Sequence, residues 1–149
     1  MSYLHRTIIY PPHPPFPATP TYFSFNHAFT NRLPQTMRAY IDWLRDLPDP
    51  ILTHRYVGSM VADFHRNLIH GGVFGYPSAP TKPDGKIRLL YEAAPLAFLA
   101  EQAGGFGSDG QISLLDIMPT NIHQRVPVFI GNRFLVEKAQ EILSFPHQD

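Results

Sequence analysis

Beyond Pro34 the apolar residues Met37, Tyr40, Ile41 and Leu44 recur at intervals of three and four, the period of one helix face, and the pattern stops at Pro48-Asp49-Pro50. A second helix is predicted over about 59–69. Met60, Val61, Phe64 and Leu68 form its stripe, Ser59 can cap its start and Gly71 can close its end. The stretch "GGVFGYP" reads as a short strand. Pro83-Asp84-Gly85 has turn chemistry, because proline presets φ and glycine accepts a positive one, so a strand over 86–92 is expected to pair with 73–76 in a long-looped hairpin. Pro95 suits the first residue of a third helix, with Leu96, Leu99 and Ala103 inward and Gly104-Gly105 stopping it. "ISLLDI" and "VPVFIG" read as two more strands, and Asn132 can cap a last helix carrying Phe134, Leu135, Ala139, Ile142 and Leu143. Strands alternating with helices predict an α/β fold, a layered mixed β-sheet with flanking helices. No internal repeat is visible.

The predicted strand over 86–92 raises a question of charge. Strand side chains alternate, so Ile87, Leu89 and Tyr91 fall on one face while Lys86, Arg88, Leu90 and Glu92 fall on the other. At roughly 3.3 Å per residue, Lys86 and Glu92 lie on the order of 20 Å apart, too far to neutralise each other. Each needs another partner.

Composition narrows the classes of function. A chain of 149 residues, 44% hydrophobic and 13% aromatic, is sized for one domain with a core. Its net charge is zero and it has no Lys/Arg block, which argues against nucleic acid as a partner. The absence of cysteine removes disulfides and thiolate metal sites and favours the cytoplasm. No apolar run approaches the roughly 20 residues of a membrane span, and no signal-peptide core precedes the first prolines, so a soluble chain is expected. "PPHPPFPATP", with six prolines over 11–20, favours extended backbone. It is expected to be a tail outside the fold, so that residues 1–20 form a proline-rich extended or disordered segment and 21–149 the domain. A ligand for a proline-recognition module is the sharper alternative.

Familiar catalytic signatures are absent: no phosphate loop, no Gly-x-Ser-x-Gly elbow, no His-Glu-x-x-His. "AGGFGSDG" follows a helix rather than a strand, and reads as a helix stop and turn. The eight histidines are scattered without ligand spacing and read as solvated or hydrogen-bonded. Around "THRYVGSMVADFHR", Arg55 and Tyr56 precede a helix start, and guanidinium, phenol and helix N–H groups are donors suited to phosphate oxygens. An ordinary loop with a surface arginine and a packed tyrosine is the plainer reading. For Glu92 the plain reading is a salt bridge or a cap on the Pro95 helix. The alternative is a hard-metal ligand, although one carboxylate makes no site.

Together "RYVGSMVADFHR", "GGVFGYP", "GKIRLLYEAAPLAFLAEQAGG" and "NIHQRVPVFIG" resemble the C-terminal half of class I fructose-1,6-bisphosphatase. The resemblance runs from about Tyr22, through "YFSFNHAF", to about Leu143. It implies the C-terminal half of a sugar-phosphatase fold, and a Mg²⁺-dependent hydrolysis of the 1-phosphate of fructose 1,6-bisphosphate in gluconeogenesis or related carbohydrate metabolism. By motif, Asn26, Arg55, Tyr56 and Tyr76 look like ligands of the 6-phosphate, with Arg55 reaching into a neighbouring subunit's site. Met60 and Lys86 look like sugar contacts, and Glu92 resembles the one metal-binding carboxylate of this half. The implied partners are the sugar bisphosphate and either further copies of the chain, as a homo-oligomer, or a complementary N-terminal half.

Two departures qualify what the resemblance implies. Relatives usually follow the asparagine with Glu-Gly and often a tyrosine, where this chain has His27, Ala28 and Phe29, so phosphate affinity is expected to fall. The N-terminal half, with its Asp-Pro-Leu-Asp-Gly-Ser segment and remaining metal carboxylates, has no counterpart here. A truncated reading frame or fragment, inactive when isolated, is therefore expected. The alternatives are a sedoheptulose-1,7-bisphosphatase, or an inactive sugar-phosphate-binding or subunit-interaction remnant.

Overall fold

The computed structural model describes residues 15–145, apart from the side chain of Phe29. Its centre is a mixed sheet of five strands: β1 (Tyr22–Ser24), β2 (Thr53–His54), β3 (Gly72–Tyr76), β5 (Phe106–Ser108) and β7 (Val128–Gly131), in the order β2-β1-β3-β7-β5. β1 runs parallel to β2 and β3, while β7 is antiparallel to β3 and β5. Four helices cover the two faces: α1 (Gln35–Asp46), α2 (Met60–His70), α3 (Ala94–Gln102) and α4 (Arg133–Leu143). The α/β architecture with a mixed sheet and flanking helices is the one that the alternation of patterns predicts.

Two hydrophobic clusters, one on each face, hold these layers together. On one, Met37, Tyr40, Ile41 and Leu44 of α1 and Leu135, Val136 and Ala139 of α4 enclose Phe25, Val73 and Phe129. On the other, Phe64 of α2 and Ala97 and Ala100 of α3 cover Phe74, Tyr76, Val128 and Ile130. The central strand β3 alternates between the two, Val73 to one side and Phe74 and Tyr76 to the other, and all five of its residues are buried. A strand covered on both faces reads as a continuous apolar run, which is why "GGVFGY" is legible without a polar face. Each large side chain sealed in these clusters contributes roughly 1.5–3 kcal/mol through burial. Tyr40 adds a specific tie, its hydroxyl donating to Leu135 O at 2.8 Å and joining α1 to α4.

The chain departs from the predicted pattern at several places. The strand expected over 86–92 is only Ile87–Arg88 (β4), and it pairs with Arg125–Val126 (β6) rather than with β3. Residues Leu89–Ala93 instead form a π-helical turn that runs into α3. The alternation that placed Lys86 and Glu92 on one strand face therefore does not hold. "ISLLDI" holds a 3₁₀ turn, Leu114–Asp116, and only Ser113 bridges to Ser108. Within "AGGFGSDG" the helix does stop at the glycines, but Phe106–Ser108 then becomes an edge strand.

Helix faces shift as well. α3 buries Ala97 and Ala100, while Leu99 is exposed, because small side chains let the helix lie close to the sheet. α2 buries Asp63, Phe64 and Asn67 but leaves Val61 exposed, and Gly71 ends it with a φ of 74°. Neither Ser59 nor Asn132 caps its helix through its side chain. The Asn132 amide bridges instead, with Oδ1 accepting from Gly72 N at 2.7 Å and Nδ2 donating to Pro17 O at 2.7 Å.

That last bond corrects the placement of the proline-rich segment. Residues 11–14 lie outside the described residues, but Phe16 is buried in the α2/α3 cluster and its N–H donates to Ala103 O at 2.8 Å. Proline density does favour extended backbone, yet one aromatic residue among the prolines has an apolar slot to fill, and burial holds the segment against the domain.

Candidate functional site

Because β1, β2 and β3 are mutually parallel, their C-terminal ends open on the same side of the sheet. The carboxyl end of parallel strands is where open α/β sheets commonly bind ligands. Phe25 and Asn26 follow β1, Tyr56 follows β2, and Gly75 and Tyr76 end β3. With Leu33, Pro77, Ala79, Thr81, Lys82 and Lys86 they line a cavity of about 260 Å³. No carboxylate is among these lining residues, and two lysines are.

The polar groups of this cavity are set by their own bonds. Asn26 Oδ1 accepts from Ala28 N at 2.9 Å, capping the 3₁₀ turn His27–Arg32 and leaving Nδ2 as the donor without a bond among the described residues. Tyr56 OH donates to Tyr76 OH at 3.1 Å, and Tyr76 OH donates to Gly58 O at 3.3 Å. The two rings meet edge to face with centroids 6.3 Å apart. Burial, the bond to Tyr76 and the nearby Asp63 carboxylate all raise the Tyr56 pKa, so its phenol stays a proton donor. Lys86 Nζ stands 4.7 Å from the centre of the Tyr76 ring, a cation–π distance.

Beneath the cavity a buried polar network shapes the loop carrying Arg55 and Tyr56. Asp63, fully buried in the first turn of α2, accepts from Val57 N at 3.0 Å, Gly58 N at 3.1 Å and Arg66 Nη2 at 2.7 Å. Arg66 Nη2 also donates to Ser24 Oγ at 2.7 Å and to Arg55 O at 2.8 Å, while Asn67 Nδ2 donates to Ser24 Oγ at 3.1 Å. One carboxylate thus ties down the two loop N–H groups just ahead of Ser59, and one guanidinium fastens β1, the residue after β2 and α2 together. Sequence reading missed this network, although an aspartate and an asparagine on the inward face of "VADFHRN" were the available signal.

Of the residues singled out from sequence, Asn26, Tyr56, Tyr76 and Lys86 share the cavity, and Arg55, Met60 and Glu92 do not line it. Arg55 is exposed, with Nη1 donating to His54 O at 3.3 Å. Met60 is half-buried against the α2/α3 cluster. Glu92 turns back on its own segment, Oε2 accepting from Arg88 N at 2.8 Å and Oε1 pairing with Arg88 Nη1 at 3.2 Å. The Phe29 side chain lies outside the described part of the chain, as do His5, His13 and His147. Thr81 and Lys82 line the cavity without having been anticipated, since a Pro-Thr-Lys-Pro loop carries no periodic signal.

Residues 16–144 match the family described as fructose-1-6-bisphosphatase, C-terminal domain. The chain belongs to this family. It superposes on the crystal structure of Leishmania major fructose-1,6-bisphosphatase in holo form with a TM-score of 0.84 and 37% identity, over 90% of this chain and 42% of that one. The chain therefore spans less than half the length of that enzyme. The matched region begins at Phe16, which agrees with the packing of that residue on the domain.

Members of this family generally use a divalent metal. The described residues do not by themselves fit one: no group of three or more His, Asp or Glu side chains is placed to hold an ion, and Glu92 is committed to Arg88. Mg²⁺ takes near-octahedral oxygen coordination, which a single carboxylate does not supply.

Proposed function

We propose that this chain is the sugar-phosphate-binding half of a fructose-1,6-bisphosphatase, gripping the bisphosphate while hydrolysis of the 1-phosphate to give fructose 6-phosphate requires a complementary N-terminal half. The observation that carries this reading is the cavity at the parallel strand ends, which sets Lys82 and Lys86 beside the Asn26 amide and the Tyr56 and Tyr76 phenols with no carboxylate in its lining. Ammonium, amide and phenol groups are all hydrogen-bond donors, and donors converging around a cation suit a phosphoryl group. On binding, Tyr56 turns its O–H from Tyr76 towards a phosphate oxygen, exchanging a neutral hydrogen bond for a charge-assisted one of about twice the strength. Lys86 then faces the ligand from the Tyr76 ring.

Arg55 and Glu92 fall outside this cavity, and both are assigned to contacts beyond the single chain. Arg55, exposed at the end of β2, is free to reach a neighbouring subunit's ligand. Glu92 is the one carboxylate this half brings to a Mg²⁺ site, to be drawn from Arg88 when other oxygen ligands arrive. Support comes from the apolar side chains around it: Leu90, Tyr91, Phe98 and Leu99 are all exposed, a surface suited to cover by another polypeptide. Among the described residues no helix is long and apolar enough to cross a membrane.

The test is phosphate release from fructose 1,6-bisphosphate by the purified chain with Mg²⁺, with Glu92→Gln as the control for contaminating phosphatase. The proposal expects no turnover from either. Turnover in the wild type that disappears in Glu92→Gln would show that the chain assembles its own metal site, and would overturn the division of labour between halves.

A further inference from the structure

We propose that Lys82 is a second cationic anchor of the cavity, which together with Lys86 selects a dianionic phosphate monoester over a singly charged ligand. The inference rests on the sugar-phosphate reading of the same cavity and assigns a residue that family resemblance left out.

The backbone of Lys82 is the most firmly tied point of the loop. Its N–H donates to Ala79 O at 2.8 Å, and its carbonyl accepts from Ala79 N at 3.2 Å and from Gly85 N at 3.0 Å. Ala79 and Lys82 thus close a tight turn over Pro80 and Thr81, which fixes the starting point of the Lys82 side chain on the cavity wall. An anchored stem reduces the ordering that a ligand must impose.

The ammonium itself is uncommitted, making no hydrogen bond or ion pair among the described residues. Cations nearby are engaged: Arg88 with Glu92, Arg125 with the Lys86 carbonyl, and Lys86 with the Tyr76 ring. Asp84 is the carboxylate that competes for Lys82. The two border a separate open groove together with Arg125, yet Asp84 does not line the cavity. Lys82 and Lys86 both line this cavity of about 260 Å³, and two ammonium groups brought to it repel each other when nothing lies between them. A doubly charged phosphate relieves that repulsion and satisfies both, whereas a single negative charge leaves one cation unmatched.

The experiment is calorimetric titration of the intact chain with fructose 6-phosphate and, separately, with gluconate as a singly charged sugar acid, using wild type, Lys82→Met, Lys82→Arg and Lys86→Met. Lys82→Met is expected to weaken fructose 6-phosphate about tenfold, the lower end of the range for a hydrogen bond to a charged group, and to flatten the dependence on salt. Lys82→Arg keeps the charge and recovers most of the affinity. Gluconate binds the wild type weakly and is little changed by Lys82→Met. Unchanged fructose 6-phosphate affinity in Lys82→Met, with a loss in Lys86→Met, would overturn the role of Lys82 while leaving the cavity reading intact. Failure of the wild type to bind fructose 6-phosphate would overturn both. Matching thermal midpoints of the variants show that the comparison is made on folded protein.

Discussion

Replacing Asp63 with asparagine tests whether the buried network beneath the cavity holds the site in shape. The carboxylate is fully buried and receives three donors, two backbone N–H groups of the loop after β2 and the Arg66 guanidinium, whose side chain is only 20% exposed. Asparagine keeps the volume but offers one acceptor oxygen, turns an NH₂ group towards groups that are themselves donors, and leaves the guanidinium without its counter-charge. Removing one partner of a buried ion pair costs about 3–5 kcal/mol, and asparagine's remaining oxygen places the expected loss near the lower end, about 3 kcal/mol. Against a total stability of about 5–15 kcal/mol for an ordinary domain, this is a large shift in the urea midpoint. Fructose 6-phosphate affinity should fall too, because Gly58 both donates to Asp63 and accepts from Tyr76 OH. Adding Arg66→Met to Asp63→Asn should cost much less than Arg66→Met alone, since the charge it balances is already gone. A loss below about 1 kcal/mol for Asp63→Asn, or strict additivity in the double mutant, would refute the claim that this pair organises the loop.

Three further outcomes are expected. In Gly75→Ala the new Cβ would stand 2.2 Å from the Phe25 ring, so the ring must shift, and both residues line the cavity. Chemical denaturation should register about 1–3 kcal/mol of overpacking, and ligand titration a weaker complex. Tyr40→Phe leaves the Leu135 carbonyl without its side-chain donor and should cost about 1 kcal/mol by the same denaturation assay, with the fold unchanged by circular dichroism. Burial, followed by the neighbouring His54 and Arg45 charges, holds the His27 pKa below its ordinary 6.5, and the two imidazole rings lie 4.1 Å apart. Below 6.5 the unfolded chain takes up a proton that the folded chain resists, so stability falls as pH drops from 6.5 towards the folded pKa and levels off below it. Thermal midpoints across that range should show the decline in wild type and a flatter profile in His27→Gln.

Much of the fold was legible because long helices and doubly covered strands announce themselves by spacing. α1 buries the four residues that its period singled out. Residues 86–92 misled because alternating charge imitates a strand, while the deciding contact is local: Glu92 accepts from the backbone N–H of Arg88 and closes a helical turn. α3 was placed, and Leu96 and Ala103 do pack on the core as its pattern suggests, but Leu99 is exposed and Ala97 and Ala100 went unnamed, since an alanine stripe against the sheet is nearly silent beside louder leucines. Phe16 was lost among prolines whose local preference outweighed one aromatic in the reading. Periodicity did not gather the cavity at all, because Asn26, Tyr56, Tyr76 and Lys86 are brought together only by the parallel pairing of three short strands and a loop. Motif resemblance named those four, and it passed over Lys82 and Asp63. The first belongs to a loop of no periodic pattern, and the second acts through backbone groups that a sequence does not display.

The most direct test of the central claim is calorimetry of the chain with fructose 6-phosphate in the absence of metal. The account predicts saturable binding at one site per chain, weakened in both Lys86→Met and Tyr76→Phe. No binding, or binding that neither substitution changes, would contradict the assignment of this cavity to a sugar phosphate.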